Sequence, residues 1–121
     1  MVEDEAYLAM LLNELLTDAG YRVMHAARLD AAFRIADEHP IEGALLDINV
    51  DGELVYPLAD RLRAQGVPFM FVSAYPPVSI PATFRDQPLV QKPYTIGDIL
   101  DAVATLLGES PPLPDGAASH P

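Results

Sequence analysis

Five leucines, Leu8, Leu11, Leu12, Leu15 and Leu16, recur at intervals of three and four within residues 6–19, the period of a helix with one buried face. Gly20 follows and supplies a C-terminal stop. Residues 21–26 alternate weakly and predict a short strand; residues 29–38 predict a second helix, closed by His39 and Pro40. The run Ala44, Leu45, Leu46, Asp47, Ile48 is apolar at every position but one, as in a parallel strand covered on both faces. Asp51 and Gly52 predict a turn, and Pro57 the first turn of a third helix that continues from Leu58 to Gly66. Residues 68–73 predict another strand.

Pro76, Pro77, Pro81 and Pro88 confine the stretch 75–88 to loop, with about one turn of helix near residues 82–85. Residues 89–91 predict a last short strand. Thr95 and Asp98 have the spacing of a capping box, with Asp in place of the usual Glu. Ile96, Ile99, Leu100, Val103 and Leu107 then mark an amphipathic helix that Gly108 ends. Strands alternate with helices and stand too far apart for hairpins, so the fold class is α/β with parallel pairing. One domain is expected over residues 1–108. Residues 109–121, rich in Pro, Gly, Ser and Ala, hold too little apolar surface to offset the entropy of ordering and are expected to form a disordered tail.

Half of the 121 residues are apolar, enough for one well-filled core. The net charge of −11 sets the chain against phosphate-backbone binding, so nucleic acid is not an expected partner and proteins are. Without cysteine it can form neither a disulfide nor a thiolate metal site. No long apolar run and no basic, apolar leader is present, so the expectation is a cytoplasmic protein with no membrane partner.

In open α/β sheets the site lies beyond the carboxyl ends of the strands. At those ends stand Glu3, Asp4 and Glu5, then Asp47, Ser73 and Lys92. Converging carboxylates repel, by roughly 4 kcal/mol per pair at about 4 Å and an effective dielectric near 20. A bound cation relieves this, and oxygen donors with room for water suit Mg²⁺. A carboxylate can take a phosphoryl group, and Asp47 is the candidate because it alone sits inside a buried run. Lys92, the only lysine in the sequence, and the Ser73 hydroxyl can partner the phosphoryl oxygens. His25 and His39 read as structural or surface residues, since no second ligand stands at metal spacing.

Glu3-Asp4-Glu5, Leu45-Leu46-Asp47-Ile48-Asn49, Ser73 and Lys92-Pro93, in that order, closely resemble the response-regulator receiver domains of two-component signalling, from Val2 to about Leu107. The resemblance implies a flavodoxin-like, doubly wound, five-stranded parallel sheet in the order 2-1-3-4-5, with a shortened first strand and a reduced fourth helix. It implies Asp47 as phosphoacceptor, Glu3, Asp4, Asp47 and the backbone carbonyl of Asn49 as Mg²⁺ ligands, and Ser73 and Lys92 as phosphoryl contacts. The 68–75 run, Pro-Phe-Met-Phe-Val-Ser-Ala-Tyr, is similar to the FATGUY subgroup of stand-alone receivers, typically fed by histidine kinases in bacterial stress signalling. Here serine replaces that subgroup's threonine at position 73, and Ala74 stands in place of glycine. Leu89 occupies the place of a common switch aromatic, and Tyr94 is the candidate substitute.

The expected function is therefore a single-domain response regulator that takes a phosphoryl group from a histidine kinase or phosphotransfer protein. It signals through the face made by the proline-rich stretch, the strand at Leu89 and the helix from Ile96. It is not expected to be an enzyme beyond its own phosphorylation and dephosphorylation. The alternatives are a degenerate receiver that binds without phosphorylation, or a phosphatase with Asp47 as nucleophile. Asn49 stands where such a phosphatase carries its general acid, which disfavours the last. Receivers usually place about four apolar residues before the acidic pair, where this sequence has Met1 and Val2. The expectation is that the natural chain begins upstream, or that dimerisation or element exchange fills the gap.

Overall fold

The computed structural model describes residues 1–74 and 79–108; the expected tail and the start of the proline-rich stretch lie outside the described residues. In chain order the elements are α1 (Ala6–Asp18), α2 (Leu29–Glu38), β1 (Ala44–Asp47), β2 (Asn49–Val50), β3 (Glu53–Leu54), α3 (Tyr56–Ala64), β4 (Phe69–Ser73), a 3-10 turn (Ala82–Phe84), β5 (Leu89–Gln91) and α4 (Ile96–Leu106). Each was anticipated from the sequence except the β2–β3 hairpin. That hairpin turns at Asp51 and Gly52, whose φ angles of 51° and 83° give the left-handed pair that closes a two-residue loop.

β1 and β4 pair in parallel from Ala44 opposite Phe69 to Asp47 opposite Val72, and β4 pairs in parallel with β5. Strand alternation sends Leu46, Phe69 and Phe71 to one face, against α2 and α3, and Leu45, Met70 and Val72 to the other, against α1 and α4. Both faces are covered, which explains why these strands read as continuous apolar runs. On the first face Tyr56 stacks on Phe84 at 5.3 Å, and Phe71 meets Phe84 edge-on at 6.0 Å. The 3-10 turn replaces a full helix between β4 and β5 among the described residues and delivers Phe84 to this cluster. Arg63 lies over the same ring at 4.6 Å and donates to the Thr83 carbonyl at 2.8 Å.

Helix ends follow their sequence signals. Gly20, at φ 98°, ends α1 while the Tyr21 amide donates back to the Leu16 carbonyl at 3.0 Å. Thr95 caps α4, accepting from the Asp98 amide as Asp98 accepts from the Thr95 amide.

The strand expected over residues 21–26 is corrected by the structure. Only Ala26 makes a bridge there, parallel to Val2, and Val2 in turn bridges Leu46. The ladder itself holds three strands, β1-β4-β5, and the first two members of the expected five-strand order are present as these single bridges. The physical reason is the partner: the segment at Met1 to Glu3 offers residues 21–26 main-chain bonds at Met24 and Ala26 only. The Met1 amino group donates to the Met24 carbonyl at 2.9 Å. Burial pushes that amino group down to about 6.

Phe71, fully buried between Tyr56, Phe69 and Phe84, is the centre of the larger cluster. Phe71→Ala is expected to destabilise the domain by about 3–5 kcal/mol, read as a shift of the urea midpoint. A loss under about 1 kcal/mol would contradict this packing.

Candidate functional site

The acidic pair is hung on main-chain bonds at the sheet centre. Val2 donates to the Leu45 carbonyl at 2.8 Å, and the Asp47 amide donates to the Val2 carbonyl at 3.0 Å, which sets Glu3 and Asp4 beside Asp47. One carboxylate oxygen from each of these three acids lies within 4.8 Å of the others. Lys92 follows β5, where its amide donates to the Ser73 carbonyl at 2.8 Å. Its Nζ stands 3.7 Å from Glu3 Oε2 and 3.7 Å from Asp47 Oδ2. The structure thus gathers Glu3, Asp4, Asp47 and Lys92 as the sequence proposed.

The acids are not equivalent. Glu3 is 2% exposed, and its Oε1 accepts from the Glu5 amide at 3.1 Å. Burial, then the charge of Asp47, raise it to about 7, against smaller lowering by the Glu5 amide and Lys92. Asp47 is raised as well, by burial, with Lys92 the chief opposing influence. Asp4 is exposed, and its Oδ2 accepts from the Asp51 amide at 2.8 Å, so the left-handed turn clamps it in place. Asn49, in β2 just past Asp47, accepts on Oδ1 from the Gly52 amide at 3.1 Å. Ser73 is 2% exposed at the carboxyl end of β4. This donor set fits a small hard divalent cation: three carboxylate oxygens converge, and two of the acids are raised, chiefly by burial.

Two features escaped the sequence reading. His25 Nε2 lies 2.8 Å from the Glu3 carbonyl oxygen, which can only accept, so that nitrogen carries the proton and the ring braces the acidic loop. Nothing in the spacing of residues 3 and 25 signals this. Tyr94 packs on the α1–α4 face with its hydroxyl buried and without a hydrogen-bond partner among the described residues. Burial, then the charges of Glu3, Glu5 and Asp47, push that hydroxyl up to about 12. Leu89 is half-buried against the other face.

No family model matches the chain, and no curated protein matches it. Solved structures do. The solution structure of SdrG from Sphingomonas melonis Fr1 is 34% identical over 88% of this chain and 89% of that chain, with a TM-score of 0.71. SdrG in its BeF3-activated conformation, from Pseudomonas melonis Fr1, is 32% identical over 88% and 92%, at 0.74. The REC domain of the PhyR response regulator from Erythrobacter litoralis is 28% identical over 94% and 92%, also at 0.74. The response regulator TrrA from Thermotoga maritima, solved in complex with Mg²⁺-BeF, is 22% identical over 88% and 95% at 0.78, a likeness of fold. The chain belongs to the response-regulator receiver domains, which are signalling domains that accept a phosphoryl group.

Glu3 gives the site a pH signature. Its pKa is raised in the folded state above an ordinary 4.5, so its contribution is full below about 4.5 and is lost as pH rises through about 7. The Met1 amino group, lowered from 8.0 to about 6, acts in the opposite sense between those values, so the comparison must be with Glu3→Gln. Without divalent metal, the wild-type Tm is expected to fall relative to Glu3→Gln by several degrees between pH 5 and pH 8. Millimolar Mg²⁺ at pH 8 should recover it in the wild type alone. Parallel pH profiles for the two proteins would refute the shift.

Proposed function

We propose that this domain is a phosphorylation-dependent signalling module in which Asp47 is the phosphoacceptor. Glu3, Asp4, Asp47 and the Asn49 backbone carbonyl hold Mg²⁺, and Ser73 and Lys92 contact the phosphoryl group. The observation that carries this reading is Lys92 Nζ standing 3.7 Å from both Glu3 and Asp47, a single cation shared by the acid beside the metal position and the candidate nucleophile. An Asp47 oxygen attacks phosphorus, the donor's phosphorus–nitrogen bond breaks, and an acyl phosphate forms. Mg²⁺, when bound, neutralises the acids and the phosphoryl oxygens. Lys92 then trades its contact with Asp47 for one with a phosphoryl oxygen, and Ser73 supplies a hydroxyl from the neighbouring strand end.

The donor is proposed to be a histidine kinase or a phosphotransfer protein, the kind of partner that serves receivers generally. Output is proposed through the face of the 3-10 turn, β5 and α4, where Ile96 is 64% exposed. Drawing Ser73 toward a phosphorylated Asp47 pulls on β4 and the segment that follows, which shifts the population of that face. Tyr94, two residues past Lys92, is the proposed secondary switch: its unpartnered hydroxyl gains by any rearrangement that offers it an acceptor. The acidic surface favours protein over nucleic acid, no helix among the described residues is long and apolar enough to cross a membrane, and the proposed location is the cytoplasm.

With acetyl phosphate and Mg²⁺, the wild type is expected to take up one phosphoryl group and Asp47→Asn none; wild-type labelling of that variant would sink the assignment. Asp4→Ala should weaken Mg²⁺ affinity by at least about tenfold, the loss that even an outer-shell partner causes. Lys92→Ala should leave Mg²⁺ affinity within about threefold while abolishing the conformational response to phosphorylation, since the lysine reads the phosphoryl group and holds no metal. Equal loss of metal affinity in both variants would contradict that division.

A further inference from the structure

The main-chain bonding beside the acidic pair ends on a side chain. The Glu3 amide donates to the Ala26 carbonyl at 3.0 Å, and in a parallel ladder the Glu3 carbonyl would next accept from the amide two residues past Ala26, that of Arg28. Arg28 instead stands extended, at φ −140° and ψ 153°, as the residue that leads into α2. The donor is His25: its Nε2 lies 2.8 Å from the Glu3 carbonyl oxygen in a partly buried bond.

That carbonyl belongs to the peptide plane joining Glu3 to Asp4. A peptide is rigid, so a donor fixed on its oxygen also fixes the direction in which the chain enters Asp4. At its far end Asp4 is held a second time, where Oδ2 accepts from the Asp51 amide at 2.8 Å. An exposed aspartate held at both its main chain and its carboxylate is oriented before a cation arrives. Arg28 offers a contrast from the same segment. Its guanidinium stands 3.9 Å from the Asp51 carboxylate, but the two side chains are 66% and 64% exposed, and such an ion pair contributes little.

We infer that His25 is a positioning residue for the divalent-cation site, an inference that rests on reading Glu3, Asp4 and Asp47 as the acids that hold Mg²⁺. It is not one of the three converging acids, and it acts on the site through the Glu3 carbonyl. The role needs a hydrogen-bond donor at that point and not an imidazole as such. Groups that orient metal ligands from outside are worth about 10–100-fold in metal affinity, so an exposed histidine can matter to the site while contributing little to the fold.

The test titrates Mg²⁺ into the unphosphorylated protein, with no phosphoryl donor present, in wild type, His25→Phe, His25→Ala, His25→Gln and Arg28→Ala. The Mg²⁺ Kd is expected to rise about tenfold in His25→Phe and His25→Ala, which lack a side-chain donor. His25→Gln keeps an N–H donor and should stay within about threefold of wild type, as should Arg28→Ala. In the metal-free proteins the Asp51 amide should exchange at least about threefold faster in His25→Phe and His25→Ala, with the Phe71 amide, bonded to the Pro88 carbonyl, unchanged. A Kd for His25→Phe within about threefold of wild type would overturn the role. So would a loss in His25→Gln or Arg28→Ala equal to that in His25→Phe, or equal acceleration of the Asp51 and Phe71 amides, which would mark a merely structural residue. Wild-type protein that binds no Mg²⁺ at millimolar concentration would remove the metal site and the role together, whereas retained binding in His25→Phe removes only the role of His25.

Discussion

Everything at the site depends on holding several carboxylates together around one ammonium. Like charges at this separation drive apart unless the backbone fixes them, and here it does: main-chain bonds hold Asp47 to Val2 and Lys92 to Ser73, and a turn amide holds Asp4. Glu3 and Asp47 are in addition hydrogen-bonded to each other side chain to side chain. The parallel sheet is what makes this possible, since its strands all end at one edge and carry their last residues to a common place. Lys92 then balances two of the charges in part, and burial is the chief cause that raises Glu3 and Asp47.

The imbalance is functional under the proposed reading. A fully neutralised site would have no affinity to spare for a divalent cation or a dianionic phosphoryl group, whereas raised acids beside one lysine gain from both. A lysine suits this place better than an arginine: a compact point charge can stand midway between two oxygens and shift to a third without re-forming a planar fork. Ser73 belongs to the same economy of position. It is buried at the end of a strand that is buried throughout.

Much of this was legible in the sequence because the informative residues break a pattern. Asp47 is an acid in an apolar run, Lys92 is a lone lysine after an apolar strand, and Thr95 with Asp98 is a cap that the structure reproduces bond for bond. Helix ends at Gly20 and Gly108 were readable for the same reason: each is a glycine with positive φ. What failed was non-local. The strand over residues 21–26 depends on what lies beside it, and local alternation does not report that the neighbouring segment bridges it at Ala26 alone. The β2–β3 hairpin was hidden because each arm is two residues long, below any periodic signal. His25 braces Glu3 across 22 positions of sequence, a contact set by the bridge between Val2 and Ala26.

That bridge carries a disproportionate share of the site. Main-chain bonds of Val2 join the acidic pair to β1 on one side, and those of Met1 and Glu3 join it to Ala26 on the other. Segments with few ladder bonds open at low free energy compared with the global unfolding of a domain. Glu3 and Asp4 are held by these single bridges, by His25 and by the Asp51 amide, while Asp47, Ser73 and Lys92 sit on or beside strands with continuous partners. Under the proposed reading the phosphoryl-contacting side of the site thus rests on continuous ladders, and the metal side on single bridges and side-chain contacts.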